Sequence, residues 1–192
     1  MRYFPEFIPS ILTDTAEPTG FTDQVATLSF VPGAGGITRE FTITGSHTIY
    51  INGVKIIKGT TTIAITDVTG IHWIYYNSAG VLSVATPTQP GFNVPLLATV
   101  YWNTVTDLAL LGEERHGIVM DWKTHEFLHD TVGVRFESGL TLTATDTTFA
   151  TTTGEIWDED LNHSIGPKTT CNLLYKDGAP EYKWDLAQTT LY

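Results

Sequence analysis

The stretch His47-Thr-Ile-Tyr-Ile-Asn-Gly-Val-Lys-Ile-Ile-Lys58 decides the fold class of this chain. Asn-Gly between two strand-like runs signals a tight hairpin, because both central residues of such a turn take positive φ. His47–Ile51 and Val54–Lys58 are therefore predicted to be antiparallel strands. The same pattern continues outward. Thr60–Thr66 places Ile63 and Ile65 on one face and Thr62 and Ala64 on the other. Ile71–Tyr76 and Val81–Ala85 form a second predicted hairpin across Asn77-Ser78-Ala79-Gly80. Within it, Trp73 and Tyr75 share one face and Tyr76 takes the other, so at least one set belongs to the core. Val94–Trp102 is a longer apolar run, as expected of a strand buried on both faces. Pro32-Gly33-Ala34-Gly35-Gly36 reads as a loop without dinucleotide-fingerprint spacing and without a surrounding βαβ unit. Residues 21–111 thus read as an antiparallel β-sandwich or small barrel.

Composition agrees with a mainly β protein. Thr occupies 33 of 192 positions, and a β-branched residue of this kind suits exposed strand faces. Charged residues make up 16% and apolar residues 42% of the chain, a balance that excludes intrinsic disorder. No run approaches the length of a transmembrane helix, and the start MRYFPEFIPS has no signal-peptide core. A net charge of −11 without a Lys/Arg cluster argues against a nucleic-acid partner. Cys171 is the only cysteine, which excludes intrachain disulfides and cysteine-based zinc knuckles. It reads as a small buried hydrophobe.

Residues 1–20 form a predicted extended arm, because Pro5, Pro9 and Pro18 oppose helix. Tyr3, Phe4, Phe7, Ile8, Ile11 and Leu12 make it apolar. Such an arm packs either on its own domain or on a neighbouring subunit, and these six residues are the candidate interface. Residues 112–192 read as a second, smaller β-rich region. Leu140–Ala150 alternates as one half-exposed strand, with shorter strand-like pieces near Leu173–Tyr175 and Tyr182–Trp184. The apolar end Leu191-Tyr192 suggests a docked terminus or a longer polypeptide.

The sharpest chemical motif is His125-Glu126-Phe127-Leu128-His129, a literal H-E-x-x-H. On a helix its two histidines share a face and can ligate zinc, with Glu126 activating the metal-bound water. Only a short helix or turn near 121–131 fits between Met120 and Gly133, however. The positions of the extended zincin pattern hold Val132 and Arg135, and neither Glu155 nor Glu159 lies in a helical period. The expected state is a pair of histidines bonded to local carboxylates such as Asp121 and Asp130, with no catalytic, cofactor-binding or metal residue assigned. His125 and His129 remain the metal candidates, including in a form shared by several copies around a symmetry axis. Glu113-Glu114-Arg115-His116 reads as a solvated turn with local ion pairs. Glu155, Asp158, Glu159 and Asp160 read as a solvated acidic face, lacking the spacing of a calcium loop. Trp73 and Trp102 are candidate platforms for stacking on sugar rings.

The segment Gly112–His129 resembles a part of virion structural proteins of tailed bacteriophages, namely tail, tail-fibre and neck-appendage components. The residues carrying the likeness are Glu114, Arg115, His116, Gly117, Met120, Asp121, Thr124, His125, Phe127, Leu128 and His129. Trp73–Tyr76, Gly80–Leu82, Val94–Trp102, Asp158–Leu161 and Leu174–Gly178 extend it over about residues 70–185. The resemblance implies a non-enzymatic, homo-oligomeric building block, most often a trimer, located in the virion and present in the host cytoplasm during assembly. It also implies attachment to other tail or neck proteins, a role in host attachment with a cell-surface receptor as a further partner, and no cofactor, membrane or nucleic acid. Arg115, His116, Gly117, Asp121, Thr124, His125 and His129 are then family-motif positions, and H-E-x-x-H is incidental. A carbohydrate-binding module and a zinc hydrolase are the alternatives.

Overall fold

A computed structural model describes residues 17–32, 39–116, 120–145, 148–176, 178 and 183–189. The six interface candidates between Tyr3 and Leu12, the glycines of the 32–36 loop, and Gly117 lie outside these residues. The protein is mainly β and sandwich-like, built from several antiparallel sheets, with no closed barrel among the described residues.

The predicted hairpin is present as β4 (His47–Ile51) and β5 (Val54–Lys58), with Ile51 opposite Val54. Asn52 and Gly53 take φ of 46° and 76°, as a two-residue turn of this kind requires. β1 (Gly20–Phe21) adds to the other edge of β4. A second sheet is ordered β2 (Thr27–Val31), β3 (Glu40–Thr44), β6 (Thr61–Ala64). The third runs β10 (Leu108–Glu113), β9 (Leu96–Asn103), β7 (Gly70–Tyr76), β8 (Leu82–Ala85).

One apolar core joins these three sheets. It contains Phe21 and Ile49 from the first, Phe41 and Ile43 from the second, and Ile74, Tyr76, Leu97, Val100 and Trp102 from the third. The apolar run is present as β9, between β10 and β7, and six of its eight residues are buried. It is not buried equally on both faces, because Thr99 and Tyr101 are only half-buried on the side away from Val100 and Trp102. Trp102 is fully buried and its indole N–H donates to Asp67 Oδ1 at 2.9 Å, so it cannot serve as a sugar platform. Trp73, on the opposite face of β7 from Tyr76, remains half-buried.

The alternating run at 140–150 is not one strand. It folds into β12 (Leu142–Thr145) and β13 (Thr148–Thr151), which pair with Thr145 opposite Thr148. Alternation of Thr with apolar residues persists on both arms, so a period of two conceals the reversal. All four residues of β12 are exposed, so it is not half-buried either. β11 (Val134–Gly139), β14 (Gly154–Asp158) and β15 (Leu161–Ile165) make a further sheet with β14 central. β16 (Cys171–Tyr175) pairs with β17 (Lys183–Gln188). Cys171 is half-buried rather than buried.

Two substitutions test this packing. Ile74→Ala removes a fully buried core side chain and is expected to lower stability by about 2–5 kcal/mol in urea unfolding. Gly139 and Gly154 face each other across β11 and β14. A Cβ on Gly154 meets the Leu140 amide nitrogen and the Ser138 carbonyl, so Gly154→Ala is expected to open this sheet. Limited proteolysis should then cut within residues 134–165 faster than in the parent chain.

Candidate metal centre

Three segments distant in sequence converge beside the core. β10 runs directly into Glu113-Glu114-Arg115-His116, which the fold buries instead of leaving as a solvated turn. Arg115 is 4% exposed. Its Nε and Nη2 donate to the two Glu113 carboxylate oxygens at 2.6 and 2.7 Å, and Nη1 donates to the Ala26 carbonyl at 2.7 Å. The local ion pair is therefore real, but it is desolvated and tied to the start of β2. Gln24 Nε2 donates to the Arg115 carbonyl at 3.1 Å, which fixes the backbone immediately before His116.

The second segment is α1 (Trp122–Thr131), the helix expected near 121–131. Asp121 is its N-cap, accepting from the Lys123 and Thr124 amides and from Thr124 Oγ1 at 2.8 Å. Capping satisfies donors that a first helical turn leaves unpaired. The bonds from Thr124 lead the influences that hold the Asp121 carboxyl below its ordinary range. Gly133 at φ 55° terminates the helix, with its N–H on the Leu128 carbonyl at 3.1 Å. His125 and His129 then lie one turn apart. His125 is buried, His129 is 49% exposed, and Glu126 is exposed.

The third segment is the turn Glu159-Asp160 between β14 and β15. The acidic run is thus a hairpin and not a solvated face, and the Glu159 side chain is 0% exposed. Glu159 has φ 52°, an unfavourable conformation for a residue with a Cβ, and its amide donates to the Gly133 carbonyl at 3.2 Å. That bond seats the turn against the end of α1.

The histidines find these distant carboxylates in place of Asp121 and Asp130. His129 Nδ1 is 2.8 Å from Glu159 Oε1, and His125 Nε2 is 3.3 Å from Oε2. His116 Nδ1 lies 2.6 Å from Asp160 Oδ1 and 3.7 Å from Glu159 Oε2. Oε2 is buried without a hydrogen-bond partner. Phe92 closes one side, its ring 4.7 Å from His125 and 5.0 Å from His129 between centroids. The His116 and His125 rings are 4.5 Å apart. His116, His125 and Glu159 each present a donor atom within 4.8 Å of the others.

Burial dominates the electrostatics. It pushes His125 down to about 4, with the neighbouring His116 charge acting in the same direction, so this imidazole is neutral at pH 7. Burial also opposes charge on His116, but its bond to Asp160 and the charges of Glu159, Asp160 and Asp158 together raise it. Glu159 is raised by burial against the pull of His116 and His129. His47 and His72 are core histidines by contrast. His47 bonds Tyr76 Oη at 2.8 Å and His72 bonds Thr66 Oγ1 at 3.3 Å, and burial lowers both.

Sequence reasoning weighs Glu159 and Asp160 but sets them aside as a solvated face, and it does not find Phe92. The usable signal for the first two is a pair of non-glycine turn residues flanked by strand-like Glu155–Asp158 and Leu161–Ile165. Nothing in the sequence announces Phe92. Compared with known proteins, the chain matches no family model, no curated protein and no solved structure.

The buried neutral imidazole has a pH signature. A histidine lowered from 6.5 to about 4 contributes stability above pH 6.5 that is lost as the pH falls toward 4. At about 1.4 kcal/mol per pKa unit the loss is at most about 3.5 kcal/mol. His125→Gln is expected to flatten this acid-side fall in thermal melts recorded with a chelator present. Equal slopes in the two proteins would show that His125 charges freely in the folded chain.

Proposed function

We propose that the chain is a structural component of a tailed-phage virion. It acts as a tail-fibre or appendage module that forms a homo-oligomer, most simply a trimer, and attaches to the tail or neck through residues 1–20. No catalysis is assigned to it.

The observation that carries this reading is the exposure of two strands, β11 and β12. All six residues of β11 are exposed. Val134 is 65% and Phe136 64% exposed, and Leu142 on β12 is 57% exposed. β11 is also an edge strand, with one row of backbone groups unpaired by β14. Large apolar side chains beside an open edge favour association, and copies of one chain are the commonest partners of such a surface. The Thr-rich strands and the resemblance of Gly112–His129 to virion proteins support the same reading.

A carbohydrate-binding module is the second reading. Its support is a shallow groove of about 380 Å³ lined by Ile71, Trp73, Thr99, Tyr101 and Leu110, where half-buried Trp73 and Tyr101 offer ring faces. A zinc hydrolase gains less support, because Glu126 is exposed and α1 has 10 residues.

Native mass spectrometry separates these readings. The virion module is expected as a trimer or higher oligomer, shifted toward monomer by Phe136→Asp. A monomeric parent chain that binds cell-surface glycans and loses them on Trp73→Ala would replace it with the carbohydrate reading.

A further inference from the structure

We propose that His116, His125 and Glu159 form an intrachain site for one zinc-class divalent cation. It clamps the end of β10, helix α1 and the β14–β15 turn together, and it does not depend on the virion reading.

The geometry fits the ion. Ligands bound tetrahedrally at about 2.0–2.1 Å from zinc stand about 3.4 Å from one another. Glu159 Oε2 lies 3.3 Å from His125 Nε2, and a ring nitrogen of His116 joins them in a set whose donor atoms all fall within 4.8 Å of one another. Two imidazoles and one carboxylate form a donor set that suits zinc and its transition-metal neighbours, not calcium or magnesium, which take oxygen.

An independent observation concerns Glu159 Oε2, a carboxylate oxygen fully removed from solvent with no hydrogen-bond partner. An unsatisfied buried oxygen of this kind is costly unless something fills the role of partner. Its sister oxygen Oε1 is held by His129 at 2.8 Å, and His116 Nδ1 is held by Asp160 at 2.6 Å, which leaves His116 Nε2 as the nitrogen for the ion. Ligands oriented by an outer ring of hydrogen bonds are the usual build of a metal site. His129, Asp160 and Phe92 are therefore positioning residues, and the fourth metal position is left to solvent. Glu126 is exposed and is not one of the clustered donors, so the cation is assigned a structural role. The site is complete within one chain and needs no symmetry axis.

Isothermal titration of the untagged, chelator-stripped full chain with ZnCl2 tests the proposal, with CoCl2 absorption spectra reporting the coordination. The expected result is saturable binding of one ion per chain, intense tetrahedral cobalt bands, and a higher melting temperature with zinc. Glu159→Gln and the pair His116→Asn, His125→Gln should each weaken binding at least tenfold, while His163→Ala leaves it unchanged. Far-UV circular dichroism identifies any variant that fails to fold. The parent chain decides the matter in that case, since absence of stoichiometric binding by it overturns the site. Binding that survives in folded Glu159→Gln and in the folded histidine double variant overturns it equally.

Discussion

A central strand with one face sunk in the core is the constraint from which the rest of this molecule follows. β9 lies between β10 and β7, with Ala98, Val100 and Trp102 buried on one face and Thr99 and Tyr101 half-buried on the other. Polar groups carried into that environment need partners. The Trp102 indole finds Asp67, and the Asn103 side-chain oxygen accepts from the Val105 and Thr106 amides. The whole of β10 pairs with β9, from Leu108 opposite Asn103 to Glu113 opposite Ala98. That register delivers Arg115 and His116 to a fixed place beside the core. The candidate metal centre is thus an extension of the central sheet.

Charge is handled differently at the two ends of this extension. Around Arg115 the ion pair is complete: a bidentate carboxylate and a backbone carbonyl take its donors, and geometry of this quality offsets much of the cost of desolvation. Around Glu159 the partners are titratable imidazoles, one half-exposed and two buried. Burial pushes Glu159 up and His125 down, so the charge held at this end depends on pH. One end is a fixed structural joint and the other is adjustable.

Much of the fold was legible because local chemistry and global packing agree. Asn52-Gly53 demanded a hairpin, the apolar run at 94–102 demanded a central strand, and Asp121 with Gly133 bounds the helix between a good cap and a good terminator. The hairpin at 142–151 was not legible, because threonine serves an exposed strand on either side of a turn equally well. The site was half legible. H-E-x-x-H marked the two helical histidines, but adjacent acids are read as solvated by default. The burial of Glu159 depends on pairing between β14 and β15 and on its amide reaching Gly133. Those contacts are tertiary, and no window of sequence around residue 159 contains them.

The backbone at Glu159 has φ of 52°, a turn conformation served best by glycine or asparagine, and a carboxylate without solvent is disfavoured on its own account. Local folding preference at this position therefore favours a small, uncharged residue. Glu159 stands there against both costs, held by contacts with imidazoles brought from far away in sequence. The conformation of this turn is thus set from outside the turn.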